Sequence, residues 1–224
     1  MDYGVSLSME SVDNVSKHKV SFSVYSVIKR VFDIFCALIG LIVLLPLSII
    51  VKIAYVISGD FNSIFFSQNR IGKNGKEFKM YKFRTMVPNA DSLLEEILKE
   101  DGDLAKEYKE NKKMVNDPRI TKIGKILRKL SLDELPQSWN ILINDMSVIG
   151  NRPYLPKEKD DMGAYFKQIV SSKPGLTGYW QTNGRSDASF AKRVELESYY
   201  SLHRSLGMDF KIFLKTFLVV FKGL

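Results

Sequence analysis

Residues 34–51 read IFCALIGLIVLLPLSIIV and contain no charged side chain. A straight helix of this length reaches about 27 Å, slightly less than the roughly 30 Å of a bilayer's hydrocarbon core. Basic residues flank the stretch on both sides, with Lys29 and Arg30 before it and Lys52 directly after it. Positive flanks favour the cytoplasmic face of a membrane. One straight spanning helix therefore cannot place both flanks on that face.

Pro46 lies inside this stretch and offers a way to satisfy both flanks. Proline removes a helical N–H and clashes with the preceding turn, which predicts a sharp kink. Ser48 can bind a backbone carbonyl freed by that kink. We therefore expect residues 29–58 to form a re-entrant membrane helix that is broken at Pro46 and leaves by the face it entered. A buried core helix is the alternative.

The whole chain is basic and has a single cysteine, Cys36. Its 33 Lys and Arg residues against 25 Asp and Glu residues give a net charge of +8. An anionic partner is expected, and nucleic acid, an anionic membrane surface and a phosphorylated small molecule all qualify. One cysteine excludes an intramolecular disulfide and fits a reducing compartment. Residues 1–28 lack a clear periodicity and are predicted to be a loosely ordered N-terminal tail.

Residues 59–224 are predicted to form one compact cytoplasmic domain with an α+β, mainly helical fold. Asn74-Gly75 lies between two runs of strand-forming residues, which indicates a β-hairpin over residues 63–83. Helical periodicity follows in several later segments. The last segment, residues 209–224, is aromatic and basic. It suits an amphipathic helix at a membrane interface as well as it suits a core-packing helix.

Two adjacent carboxylates, Asp133 and Glu134, stand in the stretch KLSLDELPQ that begins at Lys129. Ser131 and Glu134 match a capping box, which would make both acids structural. Pro136 fits poorly inside that helix and favours a helix start nearer Asp133. There the helix dipole and nearby cations would keep both acids ionised. An ionised carboxylate can attack phosphorus or hold Mg²⁺, so the residues alone leave capping and chemistry open.

Four motifs carry a resemblance to a known family. After the proline-containing apolar stretch come, in this order, QNRIG from Gln68, MYKFRTM from Met80, the run DPRITKIGKILRKLSLDELPQSWNILINDMSVIGNRP from Asp117 and KPGLTGYWQTNGRSD from Lys173. This sequence resembles the bacterial sugar transferases, the monotopic polyprenyl-phosphate phosphoglycosyl transferases. The resemblance runs from about Lys29 to the C-terminus. Residues 1–28 lie outside it.

The resemblance implies an enzyme on the cytoplasmic face of the bacterial inner membrane. Such an enzyme moves a hexose-1-phosphate from a UDP-sugar to undecaprenyl phosphate, releases UMP, and starts the assembly of an exopolysaccharide, a capsule or a related glycan. By matching SLDELPQ, Asp133 is implied to be the nucleophile that forms a covalent phosphosugar intermediate, and Glu134 its catalytic partner. Mg²⁺ is implied at the acid pair, with Asp133 as a ligand. Membrane lipid is a further expected partner.

Cations and one amide from separate segments are predicted to bind the substrate: Lys82, Arg84, Arg128, Arg152, Gln181 and Arg185. Metal and arginine side chains would neutralise a diphosphate so that an anion can approach it. Arg152 matches a motif usually written G-P-R-P, which here has Asn151 in place of the first proline.

A membrane-tethered nucleic-acid-binding protein and a membrane scaffold are the alternative functions. An acid pair beside the cations argues against nucleic acid as a partner. The sequence leaves open which sugar is moved and whether the chain forms a homo-oligomer.

Overall fold

The computed structural model describes residues 24–100, 102–111, 114, 116–183 and 189–221. Most of these residues are helical, and the strands form two small two-stranded sheets. The predicted mainly helical α+β fold is therefore confirmed in outline. Residues 1–23 of the predicted tail lie outside the described residues, whereas residues 24–28 belong to the first helix.

The α-helices are α1 (Val24–Ile57), α2 (Ala90–Glu100), α3 (Gly102–Asn111), α4 (Lys122–Lys129), α5 (Gln137–Leu142), α6 (Phe166–Ile169), α7 (Tyr179–Asn183), α8 (Phe190–His203) and α9 (Leu206–Phe221). The strands are β1 (Phe65–Ile71), β2 (Glu77–Phe83), β3 (Ser147–Ile149) and β4 (Gly175–Thr177). Short 3-10 helices occupy Lys73–Gly75, Leu132–Glu134, Pro156–Glu158 and Asp160–Tyr165.

Helix α1 continues through Pro46, so the proline does not end the helix. The helix is 34 residues long, about 51 Å at 1.5 Å per residue. The Ser48 hydroxyl donates to the Leu44 carbonyl at 2.7 Å. That carbonyl is not the one that Pro46 leaves without its helical donor, which belongs to Ile42. The break predicted at Pro46 is therefore not an interruption of the helix, and the re-entrant course stays a prediction.

The folded domain contacts α1 near both of its ends. Close to the N-terminal end, the Asp33 carboxylate accepts hydrogen bonds from the Ser147 hydroxyl at 2.9 Å and the Val148 N–H at 2.8 Å. Close to the C-terminal end, the Tyr55 hydroxyl donates to the Arg84 carbonyl at 2.5 Å. One domain therefore holds the helix along its length.

The opposite face of α1 is apolar and exposed. Its exposed large side chains include Val31, Phe35, Leu38, Ile39, Ile42, Leu45, Ile49, Ile50 and Ile53. Only 17% of the most apolar 18-residue stretch of the helix is buried. The helix is long and apolar enough to cross a membrane. A core helix of a soluble domain would be mostly buried, so this exposure argues against the core-helix alternative.

The predicted hairpin is confirmed. Strands β1 and β2 pair antiparallel from Phe65 opposite Phe83 to Ile71 opposite Glu77. Asn74 and Gly75 both have positive φ, 59° and 79°, as their residue types predict. They lie in a longer connection containing a 3-10 turn, so the loop is not the two-residue turn of the shortest hairpins.

Strands β3 and β4 form a parallel pair whose backbones approach very closely. A Cβ atom placed on Gly175 would lie 2.1 Å from the Gly150 nitrogen. No side chain fits there, since real Cβ contacts do not fall below about 3 Å. The glycines at 150 and 175 therefore fix where the chain leaves β3. The residues that follow, Asn151 and Arg152, lead towards the cleft beside Glu134 that is described below.

The middle of α1 touches α5 through Gly40, and this close approach yields a prediction. A Cβ atom on Gly40 would lie 2.1 Å from Ser138 Oγ. We expect Gly40→Ala to destabilise the fold by about 1–3 kcal/mol, because the helices must move apart. Adding Ser138→Gly removes the clash. The double variant should therefore lose less free energy of unfolding than the two single variants lose in total. Thermal unfolding in detergent measures this, and simple additivity would contradict the contact.

Candidate active site

The acid pair lies in a short 3-10 turn between α4 and α5. Ser131 precedes the turn in the left-handed conformation, with φ of 55° and no side-chain capping bond. Pro136 follows the turn and directly precedes α5. The capping-box interpretation is therefore wrong, because an N-cap residue takes an extended conformation that Ser131 does not adopt. Neither acid is used to cap a helix.

Lys82 of β2 lies against both carboxylates. Its Nζ is 2.6 Å from Glu134 Oε1 and 3.9 Å from Asp133 Oδ2. The Asp133 side chain is 12% exposed and that of Glu134 is 38% exposed. The nucleophile candidate is thus the more buried of the two acids, and Lys82 forms its tight ion pair with the other.

Asn140 of α5 fixes this arrangement from behind. It is fully buried, its Oδ1 accepts from the Tyr81 N–H at 3.0 Å, and its Nδ2 donates to the Lys79 carbonyl at 2.7 Å. The side chain therefore pairs with β2 as a neighbouring strand would. It connects the strand that carries Lys82 to the helix that follows the acid pair.

The two carboxyls have oppositely shifted pKa values. Burial raises the pKa of Asp133, and the charges of Lys82 and Arg128 offset part of that rise. Burial acts on Glu134 in the same direction and is the largest single influence, but the Lys82 ion pair, the Arg152 charge and hydrogen bonding together outweigh it, so the pKa of Glu134 is lowered. The sequence analysis expected cations to keep both acids ionised. A lowered pKa, which favours the ionised form, is found for Glu134 and not for Asp133. Pairs with divergent pKa values are typical of acid–base and nucleophilic sites.

Arg128 reaches the site from the last turn of α4. Its Nε donates to the Thr85 hydroxyl at 2.9 Å, which fixes one edge of the guanidinium. Its positive charge lowers the pKa of Asp133. Arg128 is otherwise exposed, so its remaining N–H groups face outward beside the acid pair.

Three cations and two amides make up half of the residues that line a cleft next to Glu134. Lys82, Arg152 and Gln181, three of the residues predicted to bind the substrate, meet there with Arg70 and Gln137. The positive charge of Arg152 also lowers the pKa of Glu134. The cleft brings side chains from β1, β2, α5, α7 and the chain after β3 to one place.

Several polar atoms around this cleft are buried without a hydrogen-bond partner among the described residues. They are Nε of Arg70, Nε of Arg152, Nε2 of Gln137 and Oε1 of Gln181. Native proteins leave few such groups unpaired, and an absent ligand is one explanation for a cluster of them. Three of the four are donors, which suits an anionic ligand.

Arg70 is a site residue that the sequence reasoning missed. Its Nη1 donates to the Pro153 carbonyl at 3.1 Å and its Nη2 to Gln68 Oε1 at 2.7 Å. Burial and the neighbouring Arg152 charge lower its pKa to about 10. Its position in the QNRIG motif was the signal that could have identified it.

Glu197 of α8 was also missed, and no motif pointed to it. This buried carboxyl accepts the Arg152 N–H at 2.9 Å and so holds the chain that carries Arg152. Burial raises the pKa of Glu197 to about 8. It supports the cleft from behind and does not line it.

Neither Arg84 nor Arg128 lines the cleft, and Arg128 acts on Asp133 instead. Arg84 is buried, pairs with Asp60 Oδ2 at 2.9 Å and donates to the Ser63 carbonyl at 2.7 Å. It also lies over the Tyr55 ring, 4.5 Å from its centroid. These contacts give Arg84 a role in joining the hairpin to α1, and its substrate-binding role stays a prediction. Arg185 lies outside the described residues.

The acid pair can supply two oxygen ligands to a divalent ion. No group of three or more His, Cys, Asp or Glu side chains suited to a metal occurs in the described part of the chain. Mg²⁺ is commonly held by one or two carboxylates together with substrate phosphates, so this donor set fits Mg²⁺ when a diphosphate is bound. Asp133 receives no hydrogen bond from another described side chain, and Lys82 already occupies Glu134.

The chain belongs to the bacterial sugar transferase family, which matches residues 24–223. It is 40% identical over 210 residues to the UDP-galactose-lipid carrier transferase of Erwinia amylovora, covering 94% of this chain and 43% of that protein. It is 43% identical over 188 residues to the exopolysaccharide production protein ExoY of Sinorhizobium fredii, covering 84% of this chain and 83% of that protein.

A third relative, the undecaprenyl-phosphate galactose phosphotransferase of Salmonella typhimurium, is 39% identical over 210 residues, covering 94% of this chain and 43% of that protein. The chain thus spans less than half the length of two of these relatives and most of the length of ExoY.

The Lys82 contact predicts a measurable pKa change. Lys82→Met removes the positive charge that lowers the pKa of both carboxyls, so the pKa of Asp133 should rise further. Carboxyl ¹³C NMR titration of the detergent-solubilised protein measures this. Lys79→Met on the same strand is the matched control, because Lys79 is exposed and its charge is not among the causes of the Asp133 pKa shift. An unchanged Asp133 titration in Lys82→Met would contradict the electrostatic account.

Proposed function

We propose that this protein transfers a hexose-1-phosphate from a UDP-sugar to undecaprenyl phosphate and releases UMP. The observation that carries the proposal is the Asp133–Glu134 pair, in which Asp133 is buried, held against Lys82 beside a cleft where Nε of Arg70 and Nε of Arg152 have no partner among the described residues. The relatives named for galactose-lipid carrier transfer and exopolysaccharide production support the substrate class and a role in starting a glycan chain.

In the proposed first step, an Asp133 carboxylate oxygen attacks the phosphorus that carries the sugar. The new O–P bond forms as the bond to the UMP oxygen breaks, and UMP leaves with that electron pair. A phosphate oxygen of undecaprenyl phosphate then attacks the same phosphorus, which releases the Asp133 carboxylate and forms the diphosphate-linked sugar lipid. Each step is a nucleophilic displacement in which the atoms balance.

The residues around the acid pair fit this chemistry. Arg70 and Arg152 bring positive charge to the cleft, where a diphosphate has to lose negative charge before an anion can approach it. Lys82 stabilises Glu134 as an anion, so Glu134 can orient Lys82 and the incoming groups beside Asp133. The raised pKa of Asp133 makes its carboxylate more basic than that of an exposed aspartate.

Mg²⁺ is proposed as the cofactor, with Asp133 and the substrate diphosphate as its ligands. A bound divalent ion supplies charge neutralisation at the phosphates. The protein's own contribution is a carboxylate without a competing side-chain donor, next to one that Lys82 already holds.

The membrane arrangement is also a proposal. The charged domain contacts α1 at Asp33 and at Tyr55, near both ends of the apolar stretch. Lys52 donates to the Phe61 and Asn62 carbonyls, which also keeps its end of the helix at the domain. Because one folded domain cannot lie on both sides of a bilayer, these contacts support a monotopic protein on the cytoplasmic face of the inner membrane.

This arrangement predicts the accessibility of two engineered cysteines. In a Cys36→Ala background, Ser26→Cys and Ser58→Cys should both resist an impermeant maleimide in intact cells. Both should react after the inner membrane is permeabilised, because both residues are exposed and the proposal puts both on the cytoplasmic side. Labelling of one position alone in intact cells would place the two ends of α1 on opposite faces.

Substitution of the nucleophile separates catalysis from stability. Asp133→Asn should keep the fold but lower UMP release by at least about a thousandfold, because an amide is a far weaker nucleophile. Asp160→Asn, an exposed aspartate in a 3-10 helix, is the matched control and should retain activity. A well-folded Asp133→Asn variant with full activity would instead favour the scaffold alternative. Assaying wild type with a panel of UDP-sugars identifies the sugar.

Metal removal tests the proposed cofactor. UMP release should be lost in excess EDTA and recovered when Mg²⁺ is added back, because the carboxylates and a diphosphate otherwise repel each other. Melting curves recorded in parallel should stay the same, since the ion is not proposed to hold the fold. Undiminished turnover in EDTA would remove the metal from the proposal.

A further inference from the structure

A second and larger cavity, of about 730 Å³, lies between the start of α1, the chain before β4 and the start of α9. Five of its lining side chains are cationic and one is acidic: Lys29, Arg30, Lys73, Lys173, Arg204 and Asp33. It shares no lining residue with the cleft beside Glu134. Nothing in the transfer reaction described above uses it.

The charges of this cavity are only partly matched within the protein. Lys29 pairs with Asp209 at 2.6 Å, and Arg30 donates to the Ile141 and Leu142 carbonyls. Among the described residues, the side chains of Lys73 and Arg204 have no hydrogen-bond or ion-pair partner. The Ser172 hydroxyl is buried and also unpartnered. These groups are donors, and they face a cavity large enough for a phosphate group.

The lowered pKa of Lys173 reflects the positive charge gathered in the cavity. Burial lowers its pKa, the charges of Arg30 and Lys73 lower it further, and the Asp33 carboxylate offsets part of the fall. Its ammonium donates to the Asn144 side-chain oxygen, which does not neutralise the charge. A bound anion would relieve the repulsion between these cations.

An apolar groove adjoins the cavity. It is lined by Ile28, Phe32, Phe210 and Phe213, and it shares Lys29, Ile149 and Leu206 with the cavity. Phe32 and Phe213 meet edge to face, 5.0 Å apart, where α1 packs against α9. Both helices also expose apolar side chains, among them Phe35 and Leu214. The groove therefore leads from the basic cavity to the apolar surface proposed to lie in the membrane.

We propose that this cavity and groove form a binding site for an anionic phospholipid, with the headgroup phosphate in the cavity and an acyl chain in the groove. A basic pocket continuous with an apolar groove matches the two chemistries of such a lipid. The reacting acceptor lipid is a poorer match, because its phosphate must reach Asp133, and neither Asp133 nor Glu134 lines the cavity.

Native mass spectrometry of the detergent-purified full chain tests the proposal. Dioleoyl phosphatidylglycerol should bind with one-to-one stoichiometry and more tightly than dioleoyl phosphatidylcholine. The double substitution Lys173→Gln and Arg204→Gln should weaken phosphatidylglycerol binding on the order of 10- to 30-fold. The control Lys167→Gln and Lys192→Gln removes the same charge from exposed positions outside the cavity and should bind like wild type.

Three results would overturn the proposal: equal binding of the two phospholipids, equal loss in both double variants, or competition by undecaprenyl phosphate that phosphatidylglycerol cannot reverse. The last result would make the cavity an acceptor site. The readout is binding, so it stands apart from any failure of the transfer reaction.

A measurement on wild type covers the case in which the cavity variant does not fold. Phosphatidylglycerol with a photoreactive headgroup should label peptides that contain residues 171–173 or 204–207. Labelling confined to other surfaces would contradict the site. Excess inorganic phosphate should leave the labelling in place, because the proposal requires an acyl chain in the groove; its complete displacement would show a small-anion site instead.

Discussion

The arrangement of the site depends on the contact between β2 and α5 that the buried Asn140 makes. Its amide accepts from one backbone group of β2 and donates to another, so the strand and the helix cannot shift independently. Lys82 lies on that strand, and the acid pair directly precedes that helix. The 2.6 Å ion pair between Lys82 and Glu134 follows from this connection. Without that ion pair, the buried Asp133 and its neighbour Glu134 would lack their balancing charge.

The same logic explains why the membrane helix and the site belong to one structure. Helix α1 contacts α5 at Gly40 and Ser138, and it contacts the end of the hairpin through Tyr55. The elements that carry the carboxylates and Lys82 are therefore packed directly on the apolar helix. In the proposed function this places the acid pair close to the surface where a lipid phosphate would be presented.

Local signals in the sequence predicted part of this architecture. The hairpin could be predicted because Asn74 and Gly75 tolerate positive φ and stand between strand-forming runs. The acid pair and Lys82 were identified from motifs, and the structure brings them together. The capping box failed because its spacing is local, while the left-handed Ser131 is set by how α4 ends. The motif that contains Arg84 could not show that this arginine pairs with a distant carboxylate, here Asp60.

Burial was the quantity that the sequence could not supply. It raises the pKa of Asp133, although counting nearby cations predicts a fall. The sequence also could not show that Arg70 and Glu197 belong to the site. Both act through contacts between segments far apart in the chain.

The most direct test of the central claim is the intact mass of the wild-type protein after incubation with a UDP-sugar and no acceptor lipid. The account predicts a gain equal to one sugar phosphate, located on the peptide that contains Asp133 and lost when undecaprenyl phosphate is added. UMP release upon addition of acceptor, with no mass gain at any stage and no labelled Asp133 peptide, would contradict a covalent aspartyl intermediate.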